Sequence, residues 1–125
     1  MYLLDTNRFL EILFKQDRSE DCKKFLHANY NKIFISDFSI HSIGVILFRN
    51  KKQKLFEVFL NDVLTKIRIL NLPAAEYLPM MKLSKENDLD FDDLYQYIVA
   101  KYYDLQIVTM DSDFKKIQDL KMVFF

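Results

Sequence analysis

The sequence predicts an α/β domain with a central, mostly parallel sheet flanked by helices on both faces, in one unit over residues 1–125. Three observations predict it. Short apolar runs alternate with helical patterns, and parallel strands need such crossovers between them. Three apolar segments run into acidic residues: Tyr2-Leu3-Leu4 into Asp5, Asp90-Phe91 into Asp92 and Asp93, and Ile107-Val108-Thr109 into Asp111 and Asp113. The chain has 125 residues, half of them hydrophobic and 29% charged, which suits one globular core. No repeat, low-complexity tract or linker interrupts it.

The elements follow in order. Tyr2–Asp5 reads as a short buried strand, and Arg8–Phe14 as the start of a helix with Phe9, Leu10, Ile12 and Leu13 inward. A second helix is expected over about Ser19–Ala28, with Ser19 as its cap and Phe25 and Leu26 on its core face. Lys32–Ser36 is a second strand. Ser36 or Asp37 then caps a helix running to about Phe48. A polar junction, Arg49-Asn50-Lys51-Lys52, leads into a helix ending near Lys66. Ile67–Leu70 reads as a strand. Pro73 starts a helical stretch to about Glu86, Asn87–Asp90 is a turn, and a helix follows over Phe91–Tyr103. Gln106–Thr109 and Met122–Phe125 complete the sheet.

Composition excludes several functions. Lys plus Arg and Asp plus Glu are 18 each, so net charge gives no global footprint for nucleic acid, and any phosphate contact must be local. Gly44 is the one glycine, which rules out phosphate cradles of the P-loop or dinucleotide type. Cys22 is the one cysteine, so no intramolecular disulfide forms, and a reducing cytoplasm is the expected compartment. The opening MYLLDTN has no basic stretch before a long apolar one, so no signal peptide is expected. Phe38–Phe48, the longest apolar stretch, is too short to span a bilayer.

The acidic residues admit two readings. Asp5 or Thr6 can cap the first helix, Asp93 can charge the first turn of the Leu94–Tyr103 helix, and Asp111 and Asp113 can be turn residues. Alternatively, the acids share a site. Strand ends in an open parallel sheet converge where ligands bind. Two unit charges ~4 Å apart at an effective dielectric of ~20 repel by ~4 kcal/mol, so crowded carboxylates call for a cation. A divalent-metal site is the expectation.

At this point the residues resemble a known family. Met1-Tyr2-Leu3-Leu4-Asp5-Thr6-Asn7 is similar to the opening strand of PIN domains. Asp90-Phe91-Asp92-Asp93-Leu94-Tyr95-Gln96-Tyr97, with Ala100, resembles the family's third motif, and Ile107–Phe114 its last strand and fourth acid. Within the family the likeness is closest to VapC-type toxins. The resemblance implies a metal-dependent endoribonuclease, the toxin of a toxin–antitoxin pair, using carboxylate-bound Mg²⁺ or Mn²⁺. It also implies RNA as substrate, an antitoxin protein as partner, and a homodimer. Asp5, Asp93 and Asp111 are then the catalytic and metal-holding acids, with Asp113 a further metal candidate. Asp90 and Asp92 read as helix-start charges. Thr6, Asn7, Ser42 and Thr109 are candidates to position phosphate or ligand waters.

The sequence departs from the family at one place. Ile35-Ser36-Asp37-Phe38-Ser39-Ile40-His41-Ser42-Ile43 resembles the second motif, but the glutamate expected there falls on Ser42. A hydroxyl brings no charge, so the site loses attraction for a cation. His41 and Asp37 are candidates to compensate. This departure sets up an alternative, a PIN-like domain with a weakened site that binds RNA or protein. A further alternative is another acid-rich α/β module. A receiver domain would need an acidic pair after the first strand and a lysine at a later strand end, and neither appears. Asp111-Ser112-Asp113 is similar to the Toprim metal pair, though that motif follows a glutamate where Asp5 stands here. Elsewhere, Arg49, Lys51, Lys52 and Lys54 form the local basic run, either a solvated junction or a phosphate contact. Cys22 reads as a small core residue, and Met80 and Met81 as core filling. Tyr95, Tyr97, Tyr102 and Tyr103 cannot all face inward on one helix, which leaves some for a subunit interface or base stacking.

Overall fold

The computed structural model describes residues 1–117 and 121–124; of Asp113, Lys116 and Phe124 only the backbone is described. Its strands are β1 (Tyr2–Leu4), β2 (Ile33–Ser36), β3 (Arg68–Leu70), β4 (Gln106–Thr109) and β5 (Met122–Phe124). They form one parallel sheet in the order β3-β2-β1-β4-β5. The helices are α1 (Thr6–Leu13), α2 (Ser19–Asn29), α3 (Asp37–Arg49), α4 (Gln53–Lys66), α5 (Met80–Asn87) and α6 (Phe91–Tyr103). The chain builds outward from β1 to β3, then returns to β1's other side with β4. The order therefore reverses between β1 and β4, and that reversal opens a crevice at their carboxyl ends.

Alternation along the central strands fills both faces. Leu3 and Ile107 point into a core shared with Met80, Leu94, Ile98 and Phe114. Leu4 and Val108 point oppositely, against Phe9, Ile43, Leu47, Phe59 and Val63 of α1, α3 and α4. Each of these side chains is under a tenth exposed, and burial of one aliphatic or aromatic side chain contributes about 1.5–3 kcal/mol. α6 is the central helix, buried at every position from Asp93 to Ala100.

Several expectations need correcting. Ser19 does not cap α2: Arg18 stands at that position and makes no side-chain cap bond, and Ser19 is buried with its hydroxyl unpartnered among the described residues. The stretch from Pro73 is not one helix. A 3₁₀ turn over Ala74–Glu76 precedes α5, which starts only after Pro79, because a proline disfavours helical backbone in the residue before it. Met80 fills the core as expected, whereas Met81 is 62% exposed. Leu10, Ile12 and Leu13 are only half-buried, and α1 instead buries Arg8, Phe9 and Glu11. Of the α6 tyrosines, Tyr95 and Tyr97 are both buried, and Tyr102 and Tyr103 lie outside. Phe125, expected in the last strand, lies outside the described residues. No described helix is long and apolar enough to cross a membrane.

Candidate metal centre

Local chemistry starts the site at Asp5. The residue directly follows β1, and its N–H still donates to Val108 O of β4 at 2.9 Å, so its backbone is fixed by the sheet. Its φ of −70° and ψ of 153° make it the N-cap of α1, and Oδ1 accepts from Thr6 N at 2.8 Å. The residue expected to hold a metal is thus also the cap of α1. Asp93 lies in the first turn of α6, where the helix dipole favours a negative charge, and is 8% exposed. Asp111 follows β4, its loop held by a bond from Asp111 N to Thr109 Oγ1 at 2.9 Å.

These three side chains line one cleft of about 300 Å³ at the β1–β4 crevice. Thr6, Asn7, Ser42, Asp92 and Gln96 line it too. Four carboxylates and no lysine or arginine are among its lining residues. The tightest acidic group is a different one. Among the described residues, carboxylate oxygens within 4.8 Å of one another belong to Asp90, Asp92 and Asp93. Asp90 and Asp92 are exposed, and Asp90 makes no side-chain cap bond at the start of α6. Asp92, expected only as a helix-start charge, therefore also faces the cleft. The side chain of Asp113 lies outside the described residues.

A buried polar network supports Asp5. Thr109 Oγ1 donates to Asp5 Oδ2 at 2.8 Å, and Gln96 Nε2 donates to Asp5 Oδ1 at 3.2 Å and to Ser39 Oγ at 2.8 Å. Ser39 Oγ also pairs with Thr6 Oγ1 at 2.8 Å and accepts from Ser36 Oγ at 3.2 Å. Ser36 in turn caps α3 by accepting from Ser39 N. Burial pushes the Asp5 carboxyl above its usual pKa, the bonds from Thr109, Gln96 and Thr6 pull it back, and the nearby Asp111 charge pushes it further up.

The network corrects one expectation and adds residues to the site. Thr109 is wholly buried and its hydroxyl is committed to Asp5, so it has no surface to offer a phosphate. Asp37 and His41 do not line the cleft. Asp37 Oδ1 accepts from Phe38 N and from Tyr95 Oη at 2.7 Å, and that bond together with burial raises the Tyr95 pKa. His41 faces a neighbouring apolar surface with Gly44 and Phe48. Gln96 and Ser39 were missed from sequence. The available signal was spacing, since Gln96 lies three residues after Asp93 and so on the same face of α6. Arg8 was also missed: it is wholly buried and its Nη2 contacts Met110 Sδ beside the Asp111 loop.

The donors facing the cleft are carboxylate, hydroxyl and amide oxygens, a hard set of the kind that holds Mg²⁺ or Mn²⁺ rather than a thiolate or imidazole set for zinc. The desolvated Asp5 carboxylate fits such an ion, because a nearby cation favours its charged form.

The sequence profile of the PIN domain family matches residues 2–120. The chain belongs to the PIN domain family. None of the curated proteins matches the sequence. Solved structures do. The chain is similar to VapBC2 from Rickettsia felis, bound there to a DNA fragment from its promoter, with a TM-score of 0.80 at 18% identity over 99% of this chain and 98% of that one. It is similar to a toxin–antitoxin complex from Klebsiella pneumoniae, with a TM-score of 0.76 at 22% identity, covering 98% and 96% of the two chains. FitAcB from Neisseria gonorrhoeae gives 0.73 at 22% identity, covering 100% and 97%. At these identities the likeness is one of fold. In this PIN domain, acids that follow β1 and β4 and open α6 line one cleft, and Ser42 lines it with them.

Proposed function

We propose that this PIN domain is a Mg²⁺- or Mn²⁺-dependent endoribonuclease, the toxin of a toxin–antitoxin pair. The observation that carries the proposal is the common cleft of Asp5, Asp93 and Asp111, contributed by three elements far apart in sequence. Asp5 and Asp93 would hold the ion, with Asp92 also lining the cleft, and Asp111 would orient an attacking water by accepting a hydrogen bond from it. A bound divalent ion lowers the pKa of a water and neutralises charge on the phosphoryl oxygens. Thr109 and Gln96 keep Asp5 aimed and ionised, while Thr6, Asn7 and Ser42 present hydroxyl and amide groups to a phosphate. Cleavage of structured and single-stranded RNA, assayed with Mg²⁺, Mn²⁺ and chelator beside Asp93→Asn, tests the reading. Metal-dependent cleavage lost in the variant supports it, and cleavage indifferent to both chelator and variant sinks it.

An antitoxin partner has a surface to meet. A groove of about 370 Å³ lies between α1, α2 and α4, lined by Phe9, Ile12, Leu13, Leu26, Phe59 and Val63. An apolar face of a small protein fits it. Co-expression with the product of a neighbouring small reading frame, followed by co-purification of native protein and of Leu26→Asp, tests that contact.

A second reading is favoured by Ser42, which faces the cleft without charge while Asp37 and His41 stay outside it. On this reading the domain binds RNA or protein and no longer cleaves. Intact RNA in millimolar-range Mn²⁺, with RNA retained on the protein, is its signature.

A further inference from the structure

Gln96 stands at the centre of the network behind the cleft, and its environment is unusual for an amide. It is 2% exposed. Its Nε2 donates to Asp5 Oδ1 and to Ser39 Oγ, whereas Oε1 is buried with no partner among the described residues. This orientation seats the nitrogen end of the amide on two acceptors, a carboxylate oxygen and a hydroxyl. A buried acceptor without a partner costs the fold free energy. An apolar residue of the same length removes that cost but also removes the bonds to Asp5 Oδ1 and Ser39 Oγ. What the amide delivers at this position is a grip on Asp5.

That grip has a particular geometry. Asp5 receives donors from three elements, Thr6 N of α1, Thr109 Oγ1 of β4 and Gln96 Nε2 of α6. The first two come from residues on β1's own side of the crevice and its neighbour strand. Gln96 is the donor on the helix that also carries Asp93, three residues away, so it ties the carboxylate of β1 to the element holding the second acid. Through Ser39 it also ties both to α3, the helix of Ser42.

We propose that Gln96 is a positioning residue of the metal site, holding Asp5 in register with Asp93. The proposal rests on the reading of Asp5 and Asp93 as holders of a divalent cation. It concerns how the carboxylates are aligned, which matters most where Ser42 leaves the site one charge short. Loss of a hydrogen-bond partner behind a metal ligand typically weakens metal binding by ~10–100-fold.

The test compares native protein with Gln96→Met, reading Mn²⁺ affinity by paramagnetic resonance and the melting temperature of the metal-free protein. The expected result is Mn²⁺ binding weaker by about tenfold or more, measured well below the metal-free melting temperature of each protein. Mn²⁺ affinity within twofold of native overturns the proposal, most clearly if the melting temperature falls, since Gln96 is then only a structural brace. Gln96→Leu serves in place of Gln96→Met should the latter not fold. Native protein that binds no Mn²⁺ overturns the metal-site reading and this proposal with it, whereas native binding that survives Gln96→Met overturns this proposal alone.

Discussion

Asp5 concentrates the physical conflict of the molecule. It is 6% exposed, lies in a cleft with other carboxylates, and accepts hydrogen bonds from three donors. Its folded pKa lies above the ordinary 3.8. In metal-free protein its contribution therefore favours the fold fully below pH 3.8 and is lost as pH rises through the raised value. Metal binding runs the other way, because the ion needs the carboxylate. Mn²⁺ affinity is expected to fall on acidification at a pH above that of an ordinary aspartate, and a binding series across pH checks it; a midpoint at the ordinary value contradicts it. Asp93→Asn is expected to lower metal-dependent RNA cleavage by more than ~100-fold, beyond the loss typical of a partner behind a ligand. The three acids were legible in the sequence because each closes an apolar run or opens a helix. The supports were not. Thr109 and Gln96 serve Asp5 across 104 and 91 residues of sequence, and only the folded chain shows that pairing.

At the level of elements, β1, β2 and β4 followed from their apolar runs, and α3, α4 and α6 from their periodicity. The ends were harder to read. With Gly44 the single glycine, the left-handed positions that close α5 and α6 fall to Asp88 (φ 50°) and Asp104 (φ 56°), so no glycine marks them. Gly44 itself sits inside α3, where an added Cβ would meet the Phe56 ring of α4 at 3.0 Å. Gly44→Val is expected to destabilise by about 1–3 kcal/mol through overpacking of that helix pair, measured by denaturant unfolding. α3 also presents Ser42 to the cleft. Ser42→Glu is expected to tighten Mn²⁺ by about tenfold or more, since one added charge ~4 Å away is worth ~1 kcal/mol per unit of ion charge even in bulk water, and to raise cleavage with it. An unchanged affinity would show that the missing glutamate is not what limits this site.

For the whole molecule, strand order decides where chemistry can happen. Reversal between β1 and β4 places Asp5 and Asp111 on either side of one crevice, and α6 crosses to bring Asp93 to it. That convergence was predictable from the alternation of strands and helices, though not the order itself. Balanced charge would leave the RNA contact proposed above to local groups. The exposed run of Arg49, Lys51, Lys52 and Lys54 begins about 10 Å along α3 from Ser42, at 1.5 Å per residue. If it meets phosphates, Lys51→Glu with Lys52→Glu lowers the salt dependence of RNA binding by a slope of about 1–2, read from affinities over a salt series. The central claim, that one cation sits among acids from three elements, is tested most directly by the anomalous scattering of Mn²⁺ in crystals of the protein. A peak bordered by Asp5, Asp93 and Asp111 is the predicted result. A peak confined to the outer pair Asp90 and Asp92, or none, contradicts it.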